Sequence, residues 1–373
     1  MQLPESLDTG GKPQKPFSIW KVMLPVFIGI GAVAFLFLRD AEKENLSGIL
    51  GSIDIDARVI ACLFLGICFM GGRDFGLTWR FRTLADGRLR WGQAWRVCML
   101  CEFTSCVTPS AVGGSSLGMV FLNREGIEFG RATTLMITTL FLDELFFVVA
   151  CPIVVAFTPA RLLFHAGSSA FASGITLTFW LVYAGIALWT FLLFTGILWK
   201  PDALNRFLVR AFSVRWLRRW QPKVMGMTAN MKATSVELRT KSPAFWLEVF
   251  GGTACSWISR YLVVNALFFG FIPHDDPYQW VILARQFVVW VVLMVSPTPG
   301  GSGLSEWLFT EYYGDLIPTA GLALVMAVIW RLLSYYVYLL IGAVLVPGWL
   351  RNTIASVRHS KEKSNDSSIH GNE

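Results

Sequence analysis

The sequence predicts an all-α polytopic membrane protein, with about eight hydrophobic segments and two re-entrant broken-helix hairpins in an inverted 4+4 repeat. Three observations predict it. The 373 residues are 54% hydrophobic, 14% aromatic and only 15% charged, with mean hydropathy +0.53, whereas a soluble domain carries about 25% charged residues. Bases and acids gather in separate polar segments. Two similar proline–glycine motifs interrupt apolar sequence at corresponding places. This composition excludes a soluble enzyme and an extended disordered chain.

Residues 1–16 are polar and mixed in charge, and read as a cytoplasmic tail. A bilayer core takes about 20 apolar helical residues. The runs that qualify are 18–38, 58–79, 91–108, 132–157, 172–199, 244–272, 279–297 and 318–347. An acidic stretch without a small-residue cleavage site follows the first run, so it reads as a retained span. The second is purely apolar only to Gly72, and Arg73 and Asp74 are expected to pair near its cytoplasmic end. The first repeat takes residues 17–157, an outer connection 158–169 and the second repeat 170–349, with a basic insert at 200–243. Residues 350–373 read as a disordered cytoplasmic tail.

Orientation follows Lys and Arg in short loops. Segment 73–96 holds six Arg, and segment 200–243 holds ten Lys/Arg against two acids, so both are expected inside. The tail, with Arg351, Arg358, Lys361 and Lys363, is expected inside as well. Segments 39–58 and 272–278 are acidic and are expected outside. With Arg124 and Arg131 inside, residues 97–123 must enter and return on one side. By the same parity, 279–317 enters and returns from the other face. The expected location is the plasma (inner) membrane, with both termini cytoplasmic.

Each hairpin is broken by a related string, Thr108–Gly118 (TPSAVGGSSLG) and Ser296–Glu306 (SPTPGGSGLSE). Proline removes an amide donor and paired glycine frees the backbone, so a helix should break there. Irregular backbone at membrane depth is tolerated only inside protein or beside a watery cavity. Inverted repeats whose discontinuous helices meet near the midplane are a common transporter architecture. Two unrelated kinks that pack helices closely are the competing reading.

The seven cysteines all fall in apolar runs and the four histidines in loops or the tail. Cys98 and Cys101 have C-x-x-C spacing without a second ligand pair, so neither a metal site nor any other cofactor is expected.

At these motifs the chain resembles the lysylphosphatidylglycerol synthase transmembrane-region family, the flippase-like domain of the multiple-peptide-resistance proteins. The residues carrying the resemblance are Pro109–Gly114 with Arg124-Glu125-Gly126, then Asp143-Glu144, then Pro297–Gly303 with Glu306, and Arg331. It covers about residues 20–350. It implies a stand-alone member, without the aminoacyl-transferase domain of full-length members, that handles a polar lipid or lipid-linked precursor.

Ionisable groups deep in a span are costly and need an explanation. Asp143 and Glu144 are central in the fourth run, Arg260 in the sixth and Arg331 in the last, while Arg285 opens the seventh. An ion pair between Asp143 or Glu144 and Arg331 is the first expectation, with Arg331 or Arg260 meeting a lipid phosphate. A structural salt bridge is the bland reading of the same charges. The half-helix N-termini, with Gly113, Gly114, Ser115, Ser116, Gly300, Gly301, Ser302 and Ser305, form a candidate anion site. Pro109 and Pro299 shape the two breaks. Glu306 is either an N-terminal acid or a titrating group. Residues 203–220 carry an apolar stripe (Leu204, Phe207, Leu208, Ala211, Phe212) with arginines opposite, an interfacial helix pattern.

The leading expectation is a translocator of an anionic or polar lipid. A membrane-embedded head-group transferase and a non-catalytic scaffold are its rivals. Expected partners are membrane lipids with anionic head groups. An envelope-modifying enzyme and a second copy of the chain are left open as partners, and no nucleic acid is expected.

Overall fold

Helix α1 (Ala57–Leu84) starts where the Asp56 side chain accepts from the Val59 amide at 2.8 Å. This computed structural model describes residues 56–107, 113–164, 169–195, 210, 234–272, 278–296, 298, 300, 301 and 303–349, and no strand occurs among them. The first apolar run, most of the basic insert and both termini lie outside the described residues. Helices α2 (Trp91–Val107), α3 (Gly113–Arg124), α4 (Phe129–Phe157) and α5 (Ser169–Phe194) follow. After the insert come α6 (Pro243–Phe271), α7 (Gln279–Leu293), α8 (Leu304–Tyr313) and α9 (Ala320–Trp349).

The caps are the ones that the sequence supplies. Ser242 accepts from the Phe245 amide ahead of Pro243 at the first position of α6, where the missing amide costs nothing. Thr319 does the same for Leu322 at the start of α9.

Five helices, α1, α4, α5, α6 and α9, are long and apolar enough to cross a membrane. The other four run 17, 12, 15 and 10 residues. At 1.5 Å per residue none reaches the roughly 30 Å of a hydrocarbon core. They fall as two pairs, α2–α3 and α7–α8, with residues 108–112 and 294–303 between their members, and within each pair the two helices pack on one another.

Helices α1 and α6 share the most extensive contact among the described helices. Glycines make it so close: a Cβ on Gly76 would stand 2.6 Å from the Gly252 carbonyl oxygen, and one on Gly252 3.0 Å from the Gly76 oxygen. Small residues let backbones approach in membranes, where dispersion and not hydrophobicity holds helices together. One apolar cluster joins α1–α4 to α9, and a second joins α4–α9.

One boundary corrects the sequence reading. Helix α1 runs on to Leu84, five residues past the expected run, so Arg80 lies within it as Arg73 does, 3% exposed each. The helix runs on past Gly72 because both guanidinium groups find carboxylates. Arg73 and Asp74 do pair, at 3.0 Å.

Beyond α1, the turn residue Asp86 meets Arg131 at 2.5 Å and Lys241 at 2.6 Å, and Arg131 also holds Glu237 at 2.7 Å. Burial alone would push the Asp86 carboxyl up, but Lys241 and Arg131 outweigh it and hold it below the ordinary carboxylate range. In the other half, Arg285 is fully buried and gives bonds of 2.5 and 2.8 Å to Asp315 and 2.9 Å to the Tyr312 and Leu162 carbonyls.

Candidate functional site

A cavity of about 260 Å³ lies among α1, α2, α4, α6, α7, α8 and α9, bounded by the ends of both interrupted pairs. Four arginines line it, Arg73, Arg80, Arg260 and Arg331, together with the acids Glu102, Asp143 and Glu144.

Most of these charges are spent on each other. Arg73 pairs with Asp74 and Glu102, and Asp74 also accepts from the Tyr338 hydroxyl at 2.7 Å. Arg80 grips Asp143 with two bonds, 2.5 and 3.2 Å, and Asp143 accepts a third from the Trp257 indole at 2.9 Å. Arg331 pairs with Glu306 at 2.9 Å, donates to the Gly300 carbonyl at 3.1 Å and lies 3.9 Å over the Tyr335 ring.

The expected pairing of Asp143 or Glu144 with Arg331 is therefore corrected. Residues central in their own apolar runs do not have to face each other. Asp143 reaches across to α1 instead, while Arg331 turns to the loop and helix that precede its own.

Two charged groups are left over. Among the described residues Arg260 makes no ion pair and no hydrogen bond, and its guanidinium lies 4.7 Å from the Trp290 ring centre and 5.7 Å from that of Trp257. Glu144 lacks a partner too, and its Oε2 is buried without a donor. Two further cavity-lining groups, the Trp290 indole N–H and the Tyr261 hydroxyl, are buried with nothing to bond to.

The motifs behave differently from one another. Gly300 and Gly301 line the cavity with φ of +57° and +71°, a conformation open to glycine and rarely to other residues. A Cβ on Gly300 would sit 2.2 Å from the Tyr335 ring. Pro299 and Ser302 lie outside the described residues, as does Pro109. Gly113, Gly114 and Ser115 begin α3, and only their backbone is described. Arg124, the last residue of α3, is exposed and does not line the cavity.

Glu306 is fully buried. It accepts from the Gly303 amide and the Ser305 hydroxyl, both at 2.8 Å, while pairing with Arg331. The start of α8, where an anion was expected, therefore carries a carboxylate of its own.

Sequence reasoning missed Arg73 and Arg80 as wall residues. A seven-residue spacing from Arg73 to Arg80, with Leu77 between, puts all three on one helix face, and that was the available signal.

Comparison with known proteins fits this architecture. The family described as "Lysylphosphatidylglycerol synthase TM region" matches residues 22–342. A UPF0104 membrane protein of Archaeoglobus fulgidus is 22% identical over 339 residues, covering 87% of this chain and 95% of the relative. No solved structure matches the chain.

Proposed function

The chain belongs to the lysylphosphatidylglycerol synthase transmembrane-region family, and from that premise we propose that it translocates a lipid with an anionic head group. One observation carries the reading. Three donors without acceptors among the described residues, the Arg260 guanidinium, the Trp290 indole N–H and the Tyr261 hydroxyl, line a single cavity within the helices. Buried donors are ordinarily satisfied, and a free guanidinium at membrane depth is costly. A phosphate oxygen would answer all three.

The head group would occupy the cavity while the acyl chains stay in the bilayer. The two interrupted pairs read as re-entrant hairpins of an inverted repeat, with α1 and α6 as matched spans in contact, so alternation is one half rocking on the other. The protein works in the plasma membrane with both termini inside. Membrane lipids are its partners.

The test is a flip assay in phosphatidylcholine liposomes with fluorescent phosphatidylglycerol as probe. Wild type should speed its movement between leaflets, and Arg260→Gln should abolish that gain while the protein stays monodisperse. Wild type no faster than protein-free liposomes would sink the reading. A change in lipid mass on incubation would favour head-group transfer instead.

A further inference from the structure

We infer that Glu144 is the proton site of this cavity, taking up a proton as an anionic head group enters, so that lipid and proton move together. The inference rests on the translocator reading above and adds its coupling.

The choice of Glu144 follows from what holds each acid. Glu102 is tied to Arg73. Asp143 is held by Arg80 and the Trp257 indole, and Glu306 by Arg331, Gly303 and Ser305. Protonating any of these would break an ion pair or lose bonds to a charged acceptor. Glu144 has no such bonds among the described residues, and one of its oxygens is buried bare. The residue is only half-buried and one oxygen alone is buried bare, so the empty cavity leaves the carboxylate free to ionise, and a proton costs it nothing in contacts.

Every charge facing the cavity is accounted for. Arg73 and Arg80 come from α1, Glu102 from α2, Asp143 from Glu144's own helix, Arg260 from α6 and Arg331 from α9. Cysteine thiols of α2 and the phenols of Tyr261, Tyr313 and Tyr335 also face it. Thiols and phenols carry their protons at neutral pH and cannot compete. The lining residues of α7 are uncharged, and α3 and α5, which also pack on α4, contribute no described lining residue.

An incoming phosphate adds a negative charge to a wall that already holds Asp143 beside Glu144. Repulsion in a medium of low dielectric favours protonating the nearest acid that is free to change. A monoanion and one proton entering together leave the charge of the site as it was. No buried field then opposes the loaded form relative to the empty one.

The experiment has two readouts. Purified full-length protein in weakly buffered detergent solution with a pH-indicator dye is titrated with phosphatidylglycerol. Wild type should take up about one proton per lipid bound and Glu144→Gln none, with Glu144→Asp restoring uptake as a check on folding. In liposomes, an imposed pH gradient should speed movement of fluorescent phosphatidylglycerol several-fold away from the acidic side, and Glu144→Gln should lose that gradient dependence. Lipid that binds and moves without proton uptake or gradient dependence would overturn the coupling and leave the translocator reading standing. A gradient response that survives in Glu144→Gln would also overturn it. Lipid that neither binds nor moves with wild type would overturn both.

Discussion

The Tyr335 hydroxyl donates to the Cys106 carbonyl oxygen at 3.1 Å, while the ring of the same tyrosine packs against Gly300. One side chain on α9 thus touches the ends of both interrupted pairs. Tyr335→Phe should cost about 1 kcal/mol, the worth of one hydrogen bond. Tyr335→Leu should cost more, because it also removes the ring beneath Arg331. A thiol-reactive dye reads both on heating, since Cys62, Cys98, Cys101, Cys106 and Cys151 are buried until the protein unfolds.

Gly300→Ala should lower stability by about 2 kcal/mol or more. The new Cβ meets the Tyr335 ring at 2.2 Å and the backbone stands at φ +57°, which alone costs an L-residue about 1–2 kcal/mol. Combining it with Tyr335→Leu should recover the steric part only. A double variant as unstable as the sum of the singles would contradict this contact.

Removing one member of the Arg331–Glu306 pair should be severe, because both are almost fully buried. Glu306→Gln leaves an uncompensated guanidinium, and loss of one partner from such pairs costs about 3–5 kcal/mol. Glu306→Gln together with Arg331→Met should be more stable than Glu306→Gln alone. Thermal midpoints of the two proteins in detergent decide it.

Gly76→Leu should prevent α1 and α6 from packing, since even a Cβ there would lie 2.6 Å from the Gly252 oxygen. Gly71→Ala, one turn away with nothing within 4 Å, should be neutral or gain up to about 1 kcal/mol from helix propensity. Equal behaviour of the two variants on size-exclusion chromatography would refute the close approach.

Asp86 sets a pH dependence. Its folded carboxyl titrates below its unfolded value, so its contribution is present at pH above about 4 and fades as pH falls through the folded pKa. The side chain is 26% exposed, and screening limits its worth to about 1 kcal/mol at most. Asp86→Asn should lower the melting temperature slightly at pH 7 and leave it unchanged near pH 3. A larger loss at acid pH than at neutral pH would reverse the sign and refute it.

The apolar runs from 58 to 347 foretold α1, α2, α4, α5, α6, α7 and α9 to within about five residues, because a bilayer imposes length and composition on any span, while α3 and α8 lie between the runs. The break after α7 was legible too, since paired glycine acts locally, while the first motif's break at 108–112 lies outside the described residues. The pairing of the charges was not. Arg80 and Asp143 are 63 positions apart, and one sequence carries no record of which helices meet. Arg80 fell just past the expected run because its cost in a helix of this kind is offset only once its carboxylate partner, Asp143, is known. Glu306 turned out to fold back on its own helix start, which the capping spacing from Gly303 allowed but could not decide against an outside anion.

Helix α9 widens to a π-turn over Leu332–Tyr336, directly after Arg331. Such a turn holds one residue more than the α-helix around it, so it behaves as an insertion absorbed without a loop. Deleting one residue from 332–336 would let the helix close up as ordinary α and leave everything beyond it facing as before, whereas a deletion in the α-helical stretch that follows would turn what comes after it by about 100°. With a residue lost at 337 instead, Tyr338 would swing away from Asp74, and Gly342, whose Cβ position lies 2.0 Å from Phe103, would be replaced at that contact by a bulkier neighbour. The π-turn is thus a place where the last helix can shorten by a residue and keep its register on the first half of the molecule.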